Sequence, residues 1–238
     1  GKFGDKQLKN ALVDMLGTKT MGDSDCLLCI PSFDYTNFTY TVFKYDHREG
    51  NLSRNNMLPM VDVALATSAA PTYFPLAQIE QLNKIQLVDG GVWCNNPSLV
   101  GFMEALRYFA GPGKQFDSVS ILSLSSMNNI KGKPPLMKRK RSFLNWAPDL
   151  FELGLTGQNE FTDVVLSSID KYIQYPLSYL RIPSPEISAE QQKYISLDLA
   201  TDKAFILMKT NGDHMYHQYK NNETLVNMFR EKKLYRTK

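Results

Sequence analysis

The stretch Ile85–Gln86–Leu87–Val88–Asp89–Gly90–Gly91–Val92–Trp93–Cys94–Asn95–Asn96–Pro97 constrains this chain more than any other. A short β-prone run, 85–88, delivers one carboxylate, Asp89, to a turn made of Gly90 and Gly91. Two glycines can take positive φ and let another backbone or a ligand approach closely. A helix should follow, with Asn96 as its N-cap and Pro97 at its first position. In α/β sheets, the end of a strand just before a helix is where ligand-binding and catalytic residues collect. The local pattern also admits a plainer reading, in which Asp89 is an Asx-turn residue that only ties down its loop.

Hydrophobic periodicity organises the rest. Residues 5–16 read as an amphipathic helix stopped by Gly17, and 26–33 and 39–45 as two β-prone runs. Residues 46–51 form a polar turn or loop. A second helix begins near Pro59 and ends before Pro71; its alanines, Ala64, Ala66, Ala69 and Ala70, suit close contact with neighbouring backbone, or simply helix propensity. Strand 85–88, helix 97–110 and strand 119–124 read as a βαβ unit, which implies parallel pairing. Residues 126–148 read as a long loop. Helix 159–173 carries Phe161, Val164, Val165, Ser168, Ile169 and Tyr172 on one face. A strand near 178–182 ends at Pro183, and two helices follow over 201–219, broken around Gly212, and 222–233.

Upstream of Asp89 lies Asp62–Val63–Ala64–Leu65–Ala66–Thr67–Ser68–Ala69–Ala70–Pro71–Thr72–Tyr73–Phe74–Pro75. Together with Val88–Asp89–Gly90–Gly91 and Asn95–Asn96–Pro97 it resembles the patatin-like acyl hydrolases. Weaker likenesses run along most of the chain, at Ile30–Pro31–Ser32–Phe33–Asp34, at 159–167 and 179–182, and at Leu197–Asp198–Leu199–Ala200–Thr201. The resemblance implies an α/β fold, a mostly parallel sheet sandwiched by helices. It also implies hydrolysis of acyl esters in lipids by a Ser-Asp dyad, with Asp89 as the general base and Gly90 and Gly91 shaping its turn. Asn95 and Asn96 hold the loop and cap the helix.

The family's G-x-S-x-G nucleophile elbow and Gly-rich oxyanion loop do not occur in these residues. Gly22–Asp23–Ser24–Asp25–Cys26 lacks the second glycine and precedes a strand, whereas an elbow serine follows one. Residues 1–238 are therefore expected to be the C-terminal part of a single patatin-like domain, with the N-terminal part of that domain as the partner that carries the serine. The run Gly91–Val92–Trp93–Cys94–Asn95–Asn96–Pro97–Ser98–Leu99–Val100–Gly101 looks most like bacterial cytosolic members, some of which are switched on by a cyclic nucleotide. That likeness implies a small-molecule activator. The competing reading is a non-catalytic interaction or regulatory module on the same scaffold.

Composition excludes more than it selects. A hydrophobic share of 43% and a charged share of 21% fit a soluble globular protein. The formal net charge of +3 comes without a basic stripe interleaved with aromatics, so no nucleic-acid polymer is expected. Lys131, Lys133, Lys138, Arg139, Lys140 and Arg141 form the one dense basic cluster. It reads as a solvated loop or as a feature drawn to anionic headgroups. Cys26, Cys29 and Cys94 do not make a disulfide framework, and Cys26 and Cys29, in a buried β-prone run, read as buried free thiols rather than a metal site. They suggest a cytoplasmic protein, peripheral to the membrane if its substrate is lipid. The sequons at Asn37, Asn51 and Asn222 pull the other way, toward secretion. His214 and His217 alone make a poor metal signal, and no cofactor is expected.

Overall fold

The link between the first two β-prone runs decides how they pair. In the computed structural model, which describes residues 1–50, 54–127, 140, 142–174, 176–196 and 198–230, Lys6–Leu16 (α1) comes first. Cys29–Asp34 (β1) and Thr39–Lys44 (β2) then form an antiparallel hairpin, Cys29 opposite Lys44 and Asp34 opposite Thr39. Asp34 fixes the turn: Oδ1 accepts from the Asn37 N–H at 2.9 Å and Oδ2 from the Asn37 side-chain amide at 2.7 Å. A link as short as 35–38 cannot carry a parallel crossover.

Met60–Thr67 (α2) is begun by Pro59. Ala77–Gln78 (β3) and Gln86–Asp89 (β4) complete a four-stranded sheet of order β2-β1-β4-β3, antiparallel throughout, with Asp89 opposite Ser32. Met21, Phe43, Leu58, Val63, Ala66, Ile79 and Leu87, each at most 1% exposed, form the core around α2 and this sheet. Burial of a side chain of this size contributes about 1.5–3 kcal/mol, so the cluster fixes where β4 ends. The small residues of α2 and its exit do approach backbone: the Ala69 carbonyl accepts from the Asp89 N–H at 3.0 Å.

The remaining elements are Gly91–Cys94 (α3), Ser98–Tyr108 (α4), Val119–Leu124 (β5), Phe143–Ser168 (α5), Leu177–Ile182 (β6), Asp202–Tyr219 (α6) and Glu223–Phe229 (α7). β5 and β6 pair in parallel, Val119 opposite Leu177 and Leu124 opposite Ile182. The α/β class therefore holds and a parallel pair is present, but the sheet that carries Asp89 is not parallel. The βαβ reading of β4, α4 and β5 is also corrected. Both edges of β4 are taken, one by β1 and the other by β3 and the Ala69 carbonyl, which leaves no edge for β5.

Three further expectations change. The helix read as 159–173 begins at Phe143, inside the stretch read as a long loop over 126–148, and runs through Pro148, Gly154 and Gly157 despite their poor helix propensity. Lys140 apart, the basic cluster lies outside the described residues. The buried line of α5 is Asn159, Thr162 and Leu166, whereas Phe161, Val164 and Tyr172 of the anticipated face are exposed. A polar network holds this helix instead. Arg181 donates from Nη2 to Asn159 Oδ1 and from Nη1 to Ser123 Oγ, each at 2.6 Å, and the Tyr179 hydroxyl donates to Asp163 Oδ1 at 2.6 Å. α6 passes through Gly212 without a break. Cys26 is exposed and precedes β1, and Cys29 and Cys94 are half-buried, so the three thiols are free but not buried as a set.

Candidate active site

β4 ends on Asp89, as the sequence suggests, and the chain turns at once into α3. Gly90 and Gly91 are needed for space and not for positive φ. Gly90 sits at φ −65° in the right-handed region. A Cβ on Gly90 would run into the Pro31 carbonyl of β1 and stand 2.8 Å from the Pro31 Cβ. A Cβ on Gly91 would stand 3.1 Å from Asp89 Oδ1, 3.6 Å from Asn95 Oδ1 and 3.7 Å from Leu155 Cδ2. The first glycine lets the turn lie against β1, and the second keeps room around the carboxylate.

Asp89 is half-buried, and its Oδ1 accepts from the Gly91 N–H at 2.7 Å. Burial pushes its pKa up, and the Gly91 hydrogen bond offsets this in part. A raised carboxyl pKa is what a general base for an alcohol requires near neutral pH. Ser32 stands opposite Asp89 in the β1 ladder, yet its hydroxyl donates to the Val88 carbonyl at 2.8 Å and lies 3.4 Å from that of Ala66. Among the described residues no serine hydroxyl is hydrogen-bonded to the Asp89 carboxylate. Ser24 Oγ accepts from the Cys26 N–H at 3.3 Å, in keeping with a polar loop.

Asn95 and Asn96 serve the loop. Asn96 Oδ1 accepts from the Ser98 N–H at 3.2 Å. The helix starts one residue later than read, because the Pro97 carbonyl receives its first turn from the Gly101 N–H at 3.0 Å. The residue that sequence reading missed is Gln158. Its Oε1 accepts from the Asn95 N–H at 3.3 Å and its Nε2 donates to the Val92 carbonyl at 2.9 Å, so one side chain of α5 grips α3 twice. Helical spacing counted from 159 left it outside the helix. Gln158→Ala should cost about 1 kcal/mol and speed hydrogen exchange at Asn95; denaturant melts and exchange measurements check both.

Beside α3 lies a groove of about 660 Å³ lined by Tyr40, Val42, Trp93, Leu99, Val100, Met103 and Phe161, with Lys44, Glu104 and Arg107 among its polar residues. Trp93 Nε1 donates to the Ser32 carbonyl at 2.8 Å, and its ring packs on Tyr40 with centroids 5.3 Å apart. Asp89 itself does not line the groove, which opens four residues further along the chain at Trp93. His47 is no partner of Asp89. It is buried against Tyr108 and Phe109, with Glu49 and Glu104 oxygens 3.5 and 3.6 Å from its ring nitrogens. Among the described residues no group of three or more His, Cys, Asp or Glu is placed to hold a metal ion, and no helix is long and apolar enough to cross a membrane.

The site therefore consists of a half-buried strand-end carboxylate, Asp89, with its turn cleared by two glycines, and an apolar groove that opens at Trp93. No family model matches the chain. Among curated proteins it is similar to a cGAMP-activated phospholipase of Pseudomonas aeruginosa, 29% identical over 212 residues, which takes in 87% of this chain and 59% of that protein. Patatin-like protein 2 of Arabidopsis thaliana is 24% identical over 235 residues, 90% of this chain and 56% of that protein. A cGAMP-activated phospholipase of Escherichia coli is 26% identical over 247 residues, 95% and 65%. The chain spans between about half and two thirds of the length of these relatives. Over most of its length the chain is thus similar, at 24–29% identity, to patatin-like proteins and cGAMP-activated phospholipases.

Proposed function

We propose that these residues supply the general-base half of a lipid acyl hydrolase and form the C-terminal part of its patatin-like domain. The nucleophilic serine and oxyanion donors come from polypeptide outside 1–238. The serine attacks the ester carbonyl, and Asp89 takes its proton directly, with no imidazole between them. The observation that carries this reading is the half-buried Asp89 at the end of β4, its pKa raised by burial and its approach cleared by Gly91.

The acyl chain of the substrate lies in the groove beside α3, whose aromatic and aliphatic walls suit a long hydrocarbon and whose size is that of a ligand site. The protein acts in the cytoplasm, at the surface of a membrane that holds its substrate. Two of the relatives bear the name cGAMP-activated phospholipase, and a small-molecule activator is part of the proposal.

The first test compares residues 1–238 alone with the complete gene product on p-nitrophenyl esters. The short chain should hydrolyse nothing, and the complete product should turn over. An active, cooperatively folded 238-residue monomer would place the nucleophile inside these residues and end the two-part reading. Within an active product, Val100→Trp should fill the groove. It should reduce turnover of long-chain esters by about tenfold or more while sparing short ones, since pocket contacts discriminate by about 1–3 kcal/mol per small group. Equal losses on both ester classes would remove the groove from substrate binding.

A further inference from the structure

The groove beside α3 has a direction and an end. One wall is β2, whose alternate residues Tyr40, Val42 and Lys44 line it, while Phe43 between them is buried in the core. The facing wall is α4, which presents Leu99, Val100, Met103 and Glu104 at helical spacing. The two walls meet at both ends. Tyr40 packs on Trp93, in the helical turn that follows Asp89, and Lys44 Nζ donates to Glu104 Oε2 at 2.6 Å. At about 3.3 Å per strand residue, Tyr40 and Lys44 stand about 13 Å apart along β2.

The two ends differ in chemistry. From Trp93 to Met103 the walls are apolar, and Tyr40, Met103 and Phe161 leave an exposed apolar lip. The far end is ionic. Lys44 and Glu104 keep 23% and 12% of their side chains in contact with water. Glu104 Oε1 is buried without a hydrogen-bond partner, 3.6 Å from His47 Nε2. Arg107 follows about one helical turn further on, its guanidinium 5.2 Å from the Tyr108 ring. A hydrocarbon gains by covering the apolar walls, whereas displacing the last water from a charged pair costs free energy. It should therefore advance as far as the ion pair and no further.

We propose that the Lys44–Glu104 ion pair is the chain-length stop of this groove, which selects straight acyl chains of medium length. Carbon–carbon bonds of about 1.5 Å at near-tetrahedral angles advance an extended chain by about 1.25 Å per carbon, so about ten carbons fill the groove. This rests on the reading of the groove as the acyl site, and it adds the class of ester preferred and the residues that set the preference.

The complete gene product, assayed on straight-chain p-nitrophenyl esters from butyrate to palmitate, tests this. Within the groove kcat/KM should rise by up to about fourfold per carbon. The rise should break to a flat or falling line near about ten carbons. Lys44→Met combined with Glu104→Leu removes both charges together and should move the break to a longer ester. Val42→Phe narrows the groove two residues before Lys44 and should move it to a shorter one, which keeps the test decisive if the double variant misfolds. A rise that continues unbroken to palmitate, or a folded double variant with the wild-type break, would overturn the proposal. So would a Val42→Phe enzyme whose break stays in place. Calorimetric binding of the matching straight-chain alcohols to the Asp89→Asn protein follows the same series without catalysis, and affinity should level off at the same length. Hydrolysis that survives Asp89→Asn would remove the dyad and leave that binding series standing. Affinity independent of chain length, with hydrolysis still dependent on Asp89, would overturn the chain-length stop alone.

Discussion

Asp89→Asn in the complete gene product should remove nearly all ester hydrolysis and leave the protein at least as stable as the wild type at neutral pH. The two side chains are nearly isosteric, and an amide oxygen can still accept from the Gly91 N–H, so the turn survives. The amide cannot take a serine proton, and loss of a general base costs on the order of 10²–10⁴ in rate. The stability half follows from linkage. Burial raises the Asp89 pKa above its ordinary value of 3.8, so between the unfolded and folded values the folded state binds more protons than the unfolded one. Stability contributed by this group is therefore highest below the unfolded pKa and falls as the pH rises through the folded value. Asparagine escapes that loss. Melting curves at pH 7 should show the variant unchanged or higher, with the difference closing toward pH 3. An enzyme retaining wild-type turnover on a fluorogenic acyl ester would take Asp89 out of the mechanism.

Gly90→Ala should be among the most damaging single methyl groups that can be added to this chain. The new Cβ meets the Pro31 carbonyl, a backbone group of β1 next to the Ser32–Asp89 pair that ends the β1–β4 ladder, which cannot swing aside as a side chain can. Overpacking of this kind costs about 1–3 kcal/mol and sometimes more. Here it also separates the strand that carries Asp89 from its partner. Gly101→Ala is the control with the opposite sign. That glycine lies inside α4 with nothing within 4 Å of its Cβ position, so alanine should stabilise by about 1 kcal/mol through helix propensity. Denaturant unfolding of the two variants side by side measures the contrast. A Gly90→Ala protein as stable as the wild type would mean that the close approach of the turn to β1 is not what these residues provide.

Much of the site could be read from its residues because the signals are local. A β-prone run, two glycines and an Asn-Pro helix start each act within a few positions, and β4, the turn and α4 fall where those signals put them. Sheet pairing is not local. Whether β4 could take β5 as a parallel neighbour depended on its edges, and β1, β3 and the Ala69 carbonyl already occupy them. The start of α5 was hidden by Pro148, Gly154 and Gly157, which argue for loop until packing overrides them. Gln158 was lost with it, since a polar residue outside a predicted helix gives no sign that it will bridge both ends of another. The apolar spacing of Phe161, Val164 and Tyr172 was legible but misleading about what it packs on, for those side chains are exposed and Asn159 and Thr162 lie inside.

The most direct measurement labels the nucleophile itself. A fluorophosphonate that reacts with activated serines, applied to the complete gene product and followed by peptide mass spectrometry, identifies the residue that Asp89 serves. A label is expected on a serine outside residues 1–238, inside a G-x-S-x-G sequence, formed at a rate that falls on the order of 10²-fold or more with Asp89→Asn. No label should form on residues 1–238 alone. A label on any serine within these residues, or equal labelling of the wild type and the Asp89→Asn variant, would contradict it.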